Sequence, residues 1–103
     1  MINNNIILSI TEEIRKVLPS ASVSLFGSRA TGMFHDESDW DILILSKQPV
    51  DRKIKQSIHN VLFPFSVQLG AFINTLVVQE DDWLNNPVWY SLQQSIGAIP
   101  VAT

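Results

Sequence analysis

Val23-Ser24-Leu25-Phe26-Gly27-Ser28-Arg29-Ala30-Thr31-Gly32, followed by Asp39-Trp40-Asp41-Ile42-Leu43-Ile44-Leu45, decides how this chain folds and what it can hold. Ser22 to Phe26 alternates polar and apolar residues, the period of a strand. Gly27 stops that strand, allows a sharp turn, and lets a ligand approach with no Cβ in the way. Read as the start of a short helix, Ser28 to Thr31 offer free N–H groups and a positive dipole end to an anion. Ser28 adds a hydroxyl, and Arg29 adds a forked cation suited to phosphate oxygens. Asp39 and Asp41 open the next strand two residues apart, so both carboxylates share one face and Trp40 takes the other. Two like charges that close are comfortable only around a cation. Oxygen ligands without Cys or paired His favour Mg²⁺ or Mn²⁺. A phosphate cradle beside a divalent-metal pair describes a nucleoside-triphosphate site.

Outward from this stretch the elements follow from periodicity. Ile6, Ile7, Ile10, Ile14, Val17 and Leu18 form one stripe of a helix from about Asn4 to Leu18, ended by Pro19. Gly27 to Ser38 reads as a turn, a short helical piece and a loop. Trp40 to Leu45 is apolar enough for a central strand buried on both faces. A second helix follows Pro49, with Ile54, Ile58, Val61 and Leu62 inward, Arg52, Lys53 and Lys55 outward, and Phe63-Pro64 as its end. Phe65 to Leu69 and Phe72 to Val78 then read as one interrupted strand or two strands turning at Gly70. Glu80-Asp81-Asp82 marks the start of a last helix. This order predicts an α/β (α+β) fold, a small mixed β-sheet with helices packed on it, over residues 1–103 as a single domain.

Composition narrows the function classes. Of 103 residues, 46% are hydrophobic and 17% charged, which excludes a disordered chain. The absence of cysteine excludes a disulfide scaffold and a Cys-based zinc site. No apolar run approaches the length of a membrane span, and the first residues lack the basic start of a signal peptide. The expected location is therefore cytoplasmic. A net charge of −3 argues against general nucleic-acid binding. From Trp83 to Thr103 there is no charged residue, yet Trp83, Trp89, Tyr90, Leu84, Val88 and Leu92 are there. Such a segment packs on the sheet as an ordinary last helix or is reserved for a partner.

The string FGSRATGMFHDESDWDILIL, with Gly27-Ser28 and then Asp39-x-Asp41, resembles the signature of the nucleotidyltransferase superfamily that includes DNA polymerase beta and kanamycin nucleotidyltransferase. It is most similar to that superfamily's smallest members, the minimal nucleotidyltransferase (MNT) domains. The resemblance implies the nucleotidyltransferase fold, with Gly27 and Ser28 holding a triphosphate and Asp39 and Asp41 holding Mg²⁺ or Mn²⁺. It implies transfer of a nucleoside monophosphate from a nucleoside triphosphate to a hydroxyl acceptor, on a protein or an RNA, with pyrophosphate leaving. Active members of the family also use a third carboxylate from a later strand, as a metal ligand and as base on the attacking hydroxyl.

That third acid is missing where it is needed, because no Asp or Glu occurs between Arg52 and Gln79. Gln68 or Asn74 stands in its place, or Glu80 reaches in from a strand end. A neutral amide takes no proton near pH 7 and binds Mg²⁺ more weakly. Two functions follow: an Mg-dependent nucleotidyltransferase, or a catalytically impaired nucleotide-binding module. The second would act as the antitoxin-like partner of a HEPN-type helical protein, or as a homo-oligomer, through the uncharged C-terminal segment. A third, a structural relic that binds no nucleotide, is disfavoured by the preserved cradle and acid pair. Trp40 reads as a core anchor, His59 as a helix-flank residue, and His35, Asp36 and Glu37 as loop bystanders.

Overall fold

The computed structural model describes residues 4–26, 40–95 and 99–100. Helix α1 (Asn4–Val17) leads into strand β1 (Ser22–Phe26). Strand β2 (Trp40–Ser46), helix α2 (Arg52–Leu69) and strand β3 (Ile73–Gln79) follow. Helix α3 (Glu80–Asn85), a 3-10 turn (Pro87–Trp89), helix α4 (Tyr90–Ser95) and the two-residue strand β4 (Ile99–Pro100) complete the order. The four strands form one sheet in the order β3-β2-β1-β4. β1 pairs antiparallel with β2 and β4, while β2 and β3 are parallel. The sheet is therefore mixed, as the sequence predicts. β4 is not among the expected strands, because two residues are too few to show a period.

Strand alternation splits the interior into two clusters. Val23 and Leu25 of β1, Trp40, Ile42 and Ile44 of β2, and Val77 of β3 pack with Ile7, Ile10, Ile14 and Leu18 from α1 and Ile58 and Leu62 from α2. Trp40 is thus a core residue. On the opposite face Leu43 and Val78 are buried against Trp83, with Leu45, Leu76, Trp89 and Leu92 partly covered around them. The two indoles lie 5.7 Å apart, centroid to centroid. The uncharged C-terminal segment therefore divides. Trp83, Trp89 and Leu92 pack on the sheet, while Leu84, Val88 and Tyr90 remain exposed.

Helix α2 departs from expectation. It does not stop at Phe63-Pro64 but carries Pro64 inside and runs on to Leu69. An interior proline forfeits one hydrogen bond and costs about 3 kcal/mol. Phe65 and Leu69 extend the stripe of Ile54, Ile58 and Leu62 at steps of three and four, and both pack on the main core, which offsets that cost. The Ser66 hydroxyl also donates to the Phe63 carbonyl at 2.7 Å. Asp51 caps the start by accepting from the Ile54 amide at 2.8 Å. Gly70 ends the helix at φ 66°, its amide directed at the Ser66 and Val67 carbonyls. Residues 65–69 are therefore helix rather than strand, and of the two expected strand segments only the second, as Ile73–Gln79, pairs with β2.

Candidate functional site

The end of β1 and the starts of β2 and β3 lie side by side. Asp41 is the register partner of Phe26 on one side and of Asn74 on the other. The alternation that buries Trp40 and Ile42 under α1 and α2 turns Asp41 to the other face, where it is half-buried. Asn74 is exposed, and its Nδ2 donates to Asp41 Oδ1 at 3.3 Å. Trp83, Trp89 and Leu92 cover the same face farther along, over Leu43, Leu45, Leu76 and Val78.

Among the sequence-predicted site residues, Asp41 is placed as expected, opposite to Trp40 and facing the next strand. Gly27, Ser28, Arg29 and Asp39 lie outside the described residues, as do His35, Asp36 and Glu37. Of the substitutes for the third carboxylate, Gln68 is excluded because it sits exposed on α2. Glu80 is excluded too, since it opens α3 six residues beyond Asn74 and about 20 Å along the strand. Asn74 is the residue that faces Asp41. The sequence named it without choosing between it and Gln68, because that choice hung on where α2 ends. His59 is an exposed flank residue of α2, its ring 6.3 Å from that of Phe63. Arg52, Lys53 and Lys55 are exposed as expected. A groove of about 170 Å³ between α2 and β3, lined by Phe63, Phe72 and Thr75 among others, opens on the face away from Asp41.

With this geometry in place the chain can be compared with known proteins. Residues 7–89 match the family described as "Nucleotidyltransferase domain". The chain belongs to that family. It is also 31% identical over 80 residues to "Putative protein adenylyltransferase" of Methanocaldococcus jannaschii, covering 72% of this chain and 81% of that protein. A crystal structure of a toxin–antitoxin with AMP-PNP shares the fold, with a TM-score of 0.55 and 23% identity. That match covers 74% of this chain and 57% of the other, so this chain spans little more than half of that structure's chain. Nucleotidyltransferase domains generally use a divalent metal. The donor chemistry at Asp41 suits a hard cation, as a carboxylate at a solvent-reached sheet end. No cluster of three or more His, Asp or Glu occurs among the described residues. None of the described helices is long and apolar enough to cross a membrane.

Proposed function

We propose that this nucleotidyltransferase domain binds a nucleoside triphosphate with Mg²⁺ at the shared end of β1, β2 and β3, and transfers the nucleoside monophosphate to a hydroxyl on a protein partner. The observation that carries this reading is the position of Asp41, in register with the last residue of β1 and beside Asn74. Gly27 gives the phosphates close access to the backbone, and Ser28 and Arg29 donate to their oxygens. Asp39 and Asp41 hold the cation, which neutralises charge on the triphosphate when bound. The acceptor oxygen bonds to the α-phosphorus, the bond to the bridging oxygen breaks, and pyrophosphate leaves. Asn74 takes no proton, so the acceptor's proton passes to solvent. Loss of a positioned base costs about 10²–10⁴-fold in rate, so turnover is slow. Adenine nucleotides are the first donors to test, given the relative's name and the AMP-PNP in the solved neighbour. The exposed Leu84, Val88 and Tyr90 offer the partner an uncharged surface.

One observation favours a second reading. The amide of Asn74, at the place where a base is needed, suits a module that binds nucleotide and acts through its partner, as an antitoxin-like protein beside a helical HEPN-type toxin. Incubation of the chain and its co-purified partner with labelled ATP and Mg²⁺ separates the two. Transfer predicts a labelled protein and no label with Asp41→Asn. Binding alone predicts calorimetric heat with MgATP and no label from any of the four nucleotides. Absence of both heat and label would sink the nucleotide site itself.

A further inference from the structure

The two outer strands of the sheet are not alike. β4 is two residues long and carries Pro100, which has no N–H to offer a neighbour. β3, at the opposite edge, runs Ile73-Asn74-Thr75-Leu76-Val77-Val78-Gln79 without a charge, a proline or a glycine. Among the described residues no strand lies beyond it. The Trp40 amide donates to the Phe72 carbonyl at 2.9 Å, and Trp40 is in register with Ile73. In a parallel pair this turns the backbone groups of Asn74, Leu76 and Val78 towards β2 and those of Ile73, Thr75 and Val77 outwards. Natural proteins usually blunt such an edge with lysine or proline, and this one has neither. Beside it Phe63 and Val67 of α2 and Phe72 are 58%, 66% and 77% exposed. They line grooves between α2 and the start of β3 that share Phe63, Ser66 and Phe72.

Charge selects the occupant of this edge. Arg52 and Lys55 are exposed at the start of α2 and continue, at steps of three and four, into His59 and Phe63. Cations there oppose the positive end of the helix's own dipole, whereas the last turn, where cations are favoured, has none. From Phe63 to Phe72 there is no charged residue at all. α2 is about 27 Å long and runs back along β3, about 23 Å long, so the ends of the two nearly coincide. A second β3 laid antiparallel on the first therefore brings its helix's basic start beside the helix end that lacks a cation, once for each copy. A parallel addition would set the two basic starts side by side.

We propose that a second copy of this chain pairs its β3 antiparallel with this one, about a two-fold axis at Leu76, making one continuous sheet and covering Phe63, Val67 and Phe72. Thr75 then faces the partner's Val77, and Ile73 faces the partner's Gln79. The blunt β4 edge ends the sheet on both sides, so the assembly closes as a pair.

Sedimentation of the full chain from micromolar to millimolar concentration, with amide hydrogen exchange read at both ends of that range, tests the pairing. A concentration-dependent dimer is expected. In it the amides of Ile73, Thr75 and Val77 should exchange about tenfold more slowly than in the monomer, while those of Asn74, Leu76 and Val78, directed at β2 in both states, change little. Thr75→Pro deletes an outward N–H, which an edge strand tolerates, and should weaken the dimer about tenfold. Phe63→Lys, on α2 and outside the strand, should weaken it by a similar factor and keeps the test open if the proline variant does not fold. A chain that stays monomeric at millimolar concentration overturns the proposal. So does a dimer in which the outward amides of β3 stay as fast as in the monomer, because that dimer forms through another surface. Protection of those amides only on adding the co-purified partner also overturns it, and gives the edge to a different protein.

Discussion

The two faces of the sheet are built from alternate residues of the same strands, yet they are finished differently. Under α1 and α2 the face is closed from Val23 and Leu25 through Trp40, Ile42 and Ile44 to Val77, apart from the groove between α2 and β3 at Phe72 and Thr75. The other face is closed only over Leu43, Leu45, Leu76 and Val78, by short elements that carry Trp83 and Trp89. Its remaining end presents Asp41 and Asn74. Long helices with continuous apolar stripes leave no room for a polar site. Two six-residue helices and a 3-10 turn cover only part of a face. The main core therefore lies on one side of the sheet and the candidate site on the other.

Adjacent residues of β2 test that contrast directly. Ile44 is fully buried between the sheet and two long helices, which cannot close around a void. Ile44→Ala should cost about 4 kcal/mol, near the upper end for such truncations. Leu43, one residue away and also buried, lies under Trp83 and shorter elements that can settle inward. Leu43→Ala should cost about 2–3 kcal/mol. Urea unfolding of the two variants checks the ranking, and equal losses would break the contrast between the faces. A smaller effect is expected at the turn that carries the chain from α2 to β3. Gly70 has φ 66°, and a Cβ built there meets nothing within 4 Å. Gly70→Ala should cost only the backbone strain of about 1–2 kcal/mol, again read by urea unfolding. A larger loss would mean that the turn also holds β3 against β2.

The closed face was the more legible one, and the reason is periodic. Ile7, Ile10, Ile14 and Leu18 leave no alternative to a helix, and the alternation through Trp40 and Asp41 assigns the two sides of β2. The second half of α2 departs from the expected strand because Phe65 to Leu69 satisfies two periods at once. It alternates like a strand, and it also continues the stripe of Ile58 and Leu62. Pro64 tipped the sequence reading towards a stop, whereas packing of Phe65 and Leu69 on the core decides for helix. That single boundary carried the site with it. With residues 65–69 in a strand, Gln68 competes for the place beside Asp41. With them in a helix, Asn74 alone takes it. The candidate residues Gly27, Ser28, Arg29 and Asp39 are expected from spacing and resemblance alone and lie outside the described residues.

The smallest expected effect lies in the short covering layer itself, and it depends on pH. Asp82 accepts from Trp89 Nε1 at 2.7 Å and from Asn86 Nδ2 at 3.1 Å, tying the 3-10 turn back to α3. Those bonds, the indole's first, hold its carboxyl below the usual carboxylate value. The folded pKa is thus lower than the unfolded one. The stabilisation is complete above the unfolded value and is lost as pH falls through the folded one. Because Asp82 is exposed, solvent screens much of it. Asp82→Asn should therefore lower the thermal midpoint slightly at neutral pH, and the gap from wild type should close as the solution is acidified. Tryptophan fluorescence should report the same change first at the Trp83–Trp89 pair, before the main core responds. A gap that stays constant across the acid range would show that the carboxylate's charge does not hold this layer, and that the open face is closed by indole packing alone.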